Sequence, residues 1–360
     1  MIGRQLDRYI LRQVVPAYLM GVLGFALFFV IANAFEKIDV FVDNHTAIGL
    51  IIRYYAVDSI YNIVLVSPIA FLLAIFLVFG QMTRYNEVTA MKTAGLSLYR
   101  IFIPVFLVGL LISAACWWVG DAVMPGANKE KKAIYNEKIR GRAPRTGGIR
   151  MNLNYLGPDG RIWAIRRFDG RRREMQELVL QVFEQGQIVR RIDARSASWQ
   201  EDHWIFRDGV VRTFAETGET AAPFDSTRLV ELTETPEDLS RDEADPAQMS
   251  SAELGTFIKR LGQSGRPTAK YETDRHLKLA YPLVNFMVAL LALPLATRLR
   301  RGGIAIGFAF SFILFLVNIA MVRFGQILGH NGQIPPLVAA WMGNVIFAIA
   351  GTILLIRVPK

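Results

Sequence analysis

The sequence predicts an α-helical polytopic membrane protein of six transmembrane helices, three and three around an inserted all-β domain. Three observations carry this. The uncharged runs Gln13–Phe35, Ser59–Thr83, Ile101–Gly120, Leu279–Thr297, Gly302–Val322 and Leu337–Ile356 each have about the ~20 residues that cross a hydrocarbon core. Charge is segregated: roughly a third of residues 121–278 are charged, against about a tenth of the rest, where soluble domains sit near ~25%. Within that charged insert, short stretches alternate apolar and polar residues with the period of a strand. A single soluble globule is excluded.

The spans come first. Their basic flanks set the orientation. Arg4, Arg8, Arg12, Arg84, Lys92, Arg100, Arg298, Arg300, Arg301, Arg357 and Lys360 fall on one side, against only Lys37, Arg53 and Arg323 on the short segments of the other. Both termini are therefore expected in the cytoplasm, and residues about 123–276 outside the inner membrane, in a periplasm. Ala32-Asn33-Ala34 resembles a small-residue cleavage site. The uncharged run before it is longer than the ~7–15 residues of a signal-peptide core, so the first span is expected to stay. Asn33, Asn285, Asn318 and Asn344 lie inside spans and are expected to hydrogen-bond between helices.

The insert opens with a charged helical stretch over Lys129–Arg140. Met151–Tyr155 and Arg161–Phe168 read as strands about a Pro158-Asp159-Gly160 turn. Val179–Glu184 and Gln187–Ile192 flank Gln185-Gly186, and Trp204–Phe206 and Val210–Thr213 flank Asp208-Gly209, a favoured hairpin dipeptide. Strands at this spacing predict a sandwich or roll. Pro236–Asp245 reads as an acidic linker, Ser251–Leu261 as a short amphipathic helix capped by Ser251, and Tyr271–Lys278 as the return to the membrane. Cys116, the only cysteine, falls in the third span, so the insert has no disulfide framework.

Arg84–Gly95, between the second and third spans, predicts a short cytoplasmic helix. Tyr85, Val88 and Met91 recur at helical spacing, Glu87 suits the positive end of the helix dipole, and Gly95 suits a C-terminal stop. Composition alone reads it as a well-capped connector. The chain has no Gly-Lys pair and hence no phosphate loop, no GxSxG, and four scattered histidines without ligand spacing. No carboxylate or histidine chain runs through the spans as a proton-driven pump requires. An enzyme, a metal site and a proton-coupled carrier are all disfavoured. The net charge of +10 sits largely at membrane flanks, where anionic headgroups account for it, and no nucleic acid is expected.

The order of several local stretches resembles the LptF/LptG family of lipopolysaccharide-export ABC transporter permeases over essentially the whole chain. Leu6-Asp7-Arg8-Tyr9-Ile10 resembles the family's entry to its first span, nearer to its LptG branch. Glu87-Val88 through Met91-Lys92-Thr93-Ala94-Gly95 resembles its coupling helix, Ala194–Trp199 with Trp204 a strand pair of its periplasmic domain, Lys278 with Pro282-Leu283 the start of its fourth span, and Ile334-Pro335-Pro336 that of its sixth.

The resemblance implies a domain order of 1–123, 124–270 and 271–360, with the insert a β-jellyroll. It implies pairing with the paralogous permease LptF and two copies of the ATPase LptB, with ATP and Mg on that partner and no cofactor on this chain. Lipopolysaccharide would pass from the inner membrane to the bridge protein LptC. It gives Arg84, Tyr85, Glu87, Val88 and Met91 as ATPase-coupling candidates, Glu87 facing basic residues of the ATPase.

The family's basic cluster at the outer end of the first span is replaced here by Asn33–Asp39, one lysine among acids. Lipid-phosphate contacts then shift to Lys37, Arg53, Arg275, Lys278 and Arg323, residues that equally suit snorkelling anchors among membrane lipids. If the β domain takes acyl chains, Leu153, Trp163, Leu180 and Phe206 are its candidate lining. The alternatives are a permease for another envelope lipid and a non-transporting scaffold with a periplasmic β interaction domain. Copurification of an ATPase and lipid separates transporter from scaffold.

Overall fold

The computed structural model describes residues 2–139, 149–157, 161–184, 187–215, 218–228, 232, 234–240, 245–263, 267–298 and 304–357. The Pro158–Gly160 and Gln185-Gly186 turns, Arg140, Arg300, Arg301, Lys360 and part of the Pro236–Asp245 stretch lie outside these. The chain forms two compact units, 1–132 with 247–251 and 269–360, and 133–246 with 252–268.

The first unit holds all six expected spans, the described residues of each uncharged run lying in one long apolar helix but for Thr297, just past the end of the fourth. They are α1 (Ile2–Asp43), α2 (Ile48–Arg84), α4 (Leu98–Trp118), α8 (Ala269–Ala296), α9 (Ile304–His330) and α10 (Pro336–Ile356). The short α3 (Glu87–Thr93) joins α2 to α4. Helix α4 runs on through the π-turn Val119–Val123 into α5 (Met124–Ala133) and a second π-turn, Ile134–Ile139. At ~1.5 Å per residue, the 42 residues of α1 are about twice as long as a ~30 Å hydrocarbon core.

The bundle core is Val66, Phe71, Leu72, Ile75 and Phe79 of α2 against Ile101, Phe102 and Val105 of α4 and Val284, Val288 and Leu293 of α8. Between apolar helices in lipid, small residues permit close packing. Gly351 lets α10 lie directly on the Leu290–Leu291 backbone, and a Cβ there would collide with it. Polar pairing does the rest. Ser67 donates to Asn285 at 2.8 Å, and Asn344 donates to the Ala280 carbonyl at 2.7 Å, as expected of interhelical asparagines. Asn33 instead bonds the Phe29 carbonyl one turn back in its own helix, and buried Asn318 has no partner among the described residues. Those two depart from the expectation because neither meets a carbonyl or hydroxyl on a neighbouring helix.

The second unit is built on one six-stranded antiparallel sheet, β1 (Ile149–Leu156), β2 (Ile162–Asp169), β3 (Glu174–Glu184), β4 (Gln187–Gln200), β5 (His203–Ala215) and β6 (Gly218–Arg228). The expectation of a β domain inserted between helices holds, and its strand order is a simple meander. One reading of the turns is corrected. Asp208-Gly209 is not a hairpin but the interior of β5, where a Cβ on residue 209 would collide with the Phe224 ring and the Asp193 carbonyl. The two-residue turn falls at Glu201-Asp202, both with positive φ (46° and 63°) as a primed turn requires. β6 has no strand signature in the sequence because its alternation is blurred by exposure along nearly its whole length.

Side chains on every strand change face at one rung. Trp163 and Ile165 point inward, Arg166 and Arg167 both outward, and Phe168 inward again. The same double step occurs at Gln176-Glu177 and Arg195-Ser196, with bridge pairing interrupted at each. Asn152, Glu177 and Asp208, on alternate strands of this rung, take left-handed φ of 53°, 49° and 53°. Arg166 is ion-paired with Glu177 on the outer face, and that hydrogen bond first, its charge second, raises the Arg166 pKa further above its ordinary value.

The sheet also curls. Strands spaced ~4.8 Å apart put β2 and β5 about 14 Å from each other in a flat sheet. Yet Trp163 of β2 stacks on Phe206 of β5 at 6.0 Å and tilts against Trp204 at 6.2 Å. The stretch read as a linker is also partly structured, with α6 over Pro236–Ser240 and Leu239 in the β core. The expected helix after it is α7 (Ser251–Gln263).

Candidate functional site

The α2–α4 connection is held from both sides. Asn86, at φ 60°, breaks α2 and turns the chain so that Glu87 begins α3 where an acid favours the helix dipole. Gly95, at φ 85°, ends it: Leu96 N–H reaches the Met91 carbonyl at 3.1 Å and Gly95 N–H the Lys92 carbonyl at 2.9 Å, the paired bonds of a glycine stop. Ser97 then caps α4 by accepting from the Arg100 N–H.

Val88 is 6% exposed within the bundle core and Met91 packs against that core, so these two root the helix. Tyr85 is 67% exposed, and Arg84, Thr89, Ala90 and Thr93 are exposed with it. Of the five coupling candidates, a docking partner would thus meet Arg84, Tyr85 and Glu87, while Val88 and Met91 hold them in place.

Sequence reasoning missed what braces Glu87. The Tyr9 hydroxyl, from the third turn of α1, donates to its Oε2 at 2.8 Å. One turn of α4 onward, Arg100 binds Asp7 of α1 through both nitrogens at 2.7 Å. The first turns of α1 therefore clasp both α3 and α4. Leu6-Asp7-Arg8-Tyr9-Ile10 was legible as a span entry, but nothing in its spacing names partners that far along the chain.

At the opposite ends of these helices the phosphate candidates fall into two groups. Lys37 donates to the Tyr54 hydroxyl at 2.7 Å and lies 5.0 Å from that ring's centroid, and Arg53 pairs with Glu130 of α5 at 2.7 Å. On α9, Arg323 donates to Gln326, which with His330 bonds Asp274 of α8 at 2.9 and 2.8 Å. Arg275 is exposed with no hydrogen bond or ion pair among the described residues, and Lys278 is partly buried. Beside Arg53, Asp58 is buried and paired with Lys131 at 2.6 Å, with Asn62 donating to it at 3.1 Å. A lone acid at the head of a long uncharged run was the available signal for that pair.

In the sheet unit, Leu153, Trp163, Leu180 and Phe206 all belong to one buried cluster on the concave face. Among the described residues no three His, Cys, Asp or Glu side chains gather as a metal site.

Six apolar helices, a β domain inserted between the third and fourth, and a braced helix joining two spans together define a multi-pass membrane protein with an inserted β domain. The family model described as lipopolysaccharide export system permease LptF/LptG matches residues 8–357, and the chain belongs to that family. Among curated relatives it is similar to the lipopolysaccharide export system permease protein LptG of Haemophilus influenzae, 22% identical over 305 residues that cover 78% of each chain. It is equally similar to LptG of Escherichia coli strain K12, 22% identical over 81% of each.

Proposed function

We propose that this chain is one half of the membrane permease of a lipopolysaccharide exporter, working without catalytic residues of its own. In this reading it pairs with the paralogous permease LptF and receives work from two copies of the ATPase LptB, which hold the ATP and Mg. Lipopolysaccharide leaves the inner membrane between the spans and passes through the β domain to LptC. The α3 connector carries the reading. Its apolar side is rooted in the bundle, and its outer rim bears Glu87, the one acid in 84–100. A push on that rim moves α2 and α4 together, because the helix is tied to both and to α1.

Membership of the family supports this, and so does the absence of a phosphate loop, since the energy source must then lie on another chain. The test is photo-crosslinking in the full reconstituted complex. Crosslinkers at Leu153, Trp163, Leu180 or Phe206 are expected to capture lipopolysaccharide only while ATP is hydrolysed. Equal capture without nucleotide would mean passive adsorption and would sink the lipid route.

The orientation belongs to the same proposal: termini and α3 in the cytoplasm, β domain in the periplasm, as the basic flanks require. A reporter fused after Gly209 is expected to score as periplasmic and one at Gly95 as cytoplasmic. The reverse pattern would remove α3 from any cytoplasmic ATPase.

A further inference from the structure

The interior of the β domain is occupied by its own chain. Beyond β6, the described residues Leu232 and 234–240 lie against the concave face of the sheet. Leu232 packs against the apolar cluster, and Leu239 is 0% exposed within it. Between them lies Glu234, an acid that is 1% exposed. A buried carboxylate is costly unless it is paired and hydrogen-bonded. Here Arg161 meets its Oε2 at 3.1 Å, and the Trp163 indole donates to its Oε1 at 3.3 Å. The Trp204 indole donates to its backbone carbonyl at 2.8 Å. One residue thereby bridges β2 and β5 across the fold of the sheet.

The rest of the segment is shaped to the same end. Gly157 has no side chain because a Cβ there would run into the Glu234 carboxyl group. Thr235 and Asp238 bond reciprocally, the Asp238 N–H to Thr235 Oγ1 at 3.2 Å and the Thr235 N–H to Asp238 Oδ2 at 3.1 Å, a capping box that fixes α6. Arg150 of β1 then holds the Leu239 carbonyl at 3.0 Å.

The described residues of this segment are thus seated by specific polar contacts and two leucines, outside the strand pairing of the sheet. The leucines lie against the same cluster as Trp163, Leu180 and Phe206. Methylene groups of a fatty acyl chain would bury against that cluster by the same hydrophobic gain. Two occupants cannot share a close-packed interior.

We propose that Leu232 and residues 234–240 belong to a strap that fills the acyl-chain seat of the β domain at rest and lifts, releasing Glu234 from Arg161 and the two indoles, when lipid enters. This rests on the reading that lipid passes through the β domain. It adds a gate: Glu234 with Arg161 and the two indoles latches an empty domain shut, so that the apolar interior is not left open to water or to stray membrane lipid.

The test uses the full transporter in vesicles containing lipopolysaccharide, with a photo-crosslinker in place of Leu180. Cysteines are placed at Gly157 and Glu234 to lock the strap. The single native cysteine, Cys116, is buried in α4 and does not compete. Reduced, this variant lacks the Glu234 carboxylate and is expected to capture lipid freely with ATP and, like Glu234→Gln below, without it. Oxidised, it is expected to lose about tenfold, the scale of a population shift against a closed state, and to recover with reductant.

A second variant, Glu234→Gln, weakens the latch without a disulfide and is expected to raise capture in the absence of ATP severalfold. Capture that is indifferent both to the lock and to Glu234→Gln overturns the strap while leaving the lipid route intact. No capture at Leu180 in any form, with ATP and no added cysteines, overturns the route itself and the strap with it.

Discussion

Glu87→Arg is expected to abolish lipid transport while the protein still inserts and folds. Exposed ion pairs contribute only ~0–1 kcal/mol, so the residue matters only if a partner desolvates it. Truncating one side of a partly buried interfacial charge pair costs ~2–5 kcal/mol, and reversal adds repulsion to that loss. Two local effects act in the same direction. A cation in the first turn of α3 opposes the helix dipole by ~0.3–1 kcal/mol, and the Tyr9 hydroxyl loses its acceptor.

Glu87→Gln separates these contributions, because it keeps an acceptor for Tyr9 while removing the charge. It is expected to retain part of the transport, and charge reversal on the ATPase groove is expected to restore part of the activity of Glu87→Arg. Growth of a strain depleted of the wild-type gene and copurification of the ATPase read both. Normal growth and normal association with Glu87→Arg would reduce the residue to a dipole partner, and α3 would not be the docking site.

Lys131→Met is expected to be the most destabilising single exchange in the bundle. The Asp58 side chain is 4% exposed and the Lys131 side chain 33% exposed, so the carboxylate is the buried member of the pair. Removing its cation leaves a charge that, among the described residues, Asn62 alone still serves, and breaking buried pairs in this way costs ~3–5 kcal/mol. Asp58→Asn leaves the better-solvated lysine behind and is expected to cost far less. The double exchange Asp58→Asn with Lys131→Met is expected to recover most of the stability. Unfolding midpoints in mild detergent measure all three, and a Lys131→Met protein as stable as the parent would show that water reaches Asp58.

The spans were readable because lipid tolerates no other solution. A backbone that can find no water must be helical, and twenty uncharged residues in a row have no competing interpretation. The α3 stop at Gly95 was equally plain, since a left-handed C-terminal residue is a local requirement. Nothing local names Tyr9 as the partner of Glu87 or Asp7 as that of Arg100. Those contacts exist only once three helices pack.

The β domain shows the opposite failure. Asp208-Gly209 carries a strong hairpin signal, but its glycine answers to the Phe224 ring on the next strand, not to a turn. Pro236–Asp245 has the composition of a linker, yet Glu234 just before it and Leu239 within it are buried. An acid hidden by an arginine and two indoles from distant strands leaves no trace in its own neighbourhood. That the four candidate lining residues share one face follows from strand alternation on either side of the phase change.

That phase change also governs what can join the sheet. β1 and β6 are its edges, and an open edge is where foreign chains add and aggregates begin. An ordinary straight strand laid along β6 could match its pleat above Asp225 or below it, but not both, because the two halves are offset by one residue. A newcomer must carry the same double step at the same rung, or leave half of its side chains on the wrong face. The interrupted rung is thus expected to disfavour most straight strands at this edge and to favour a sheet that carries the same offset.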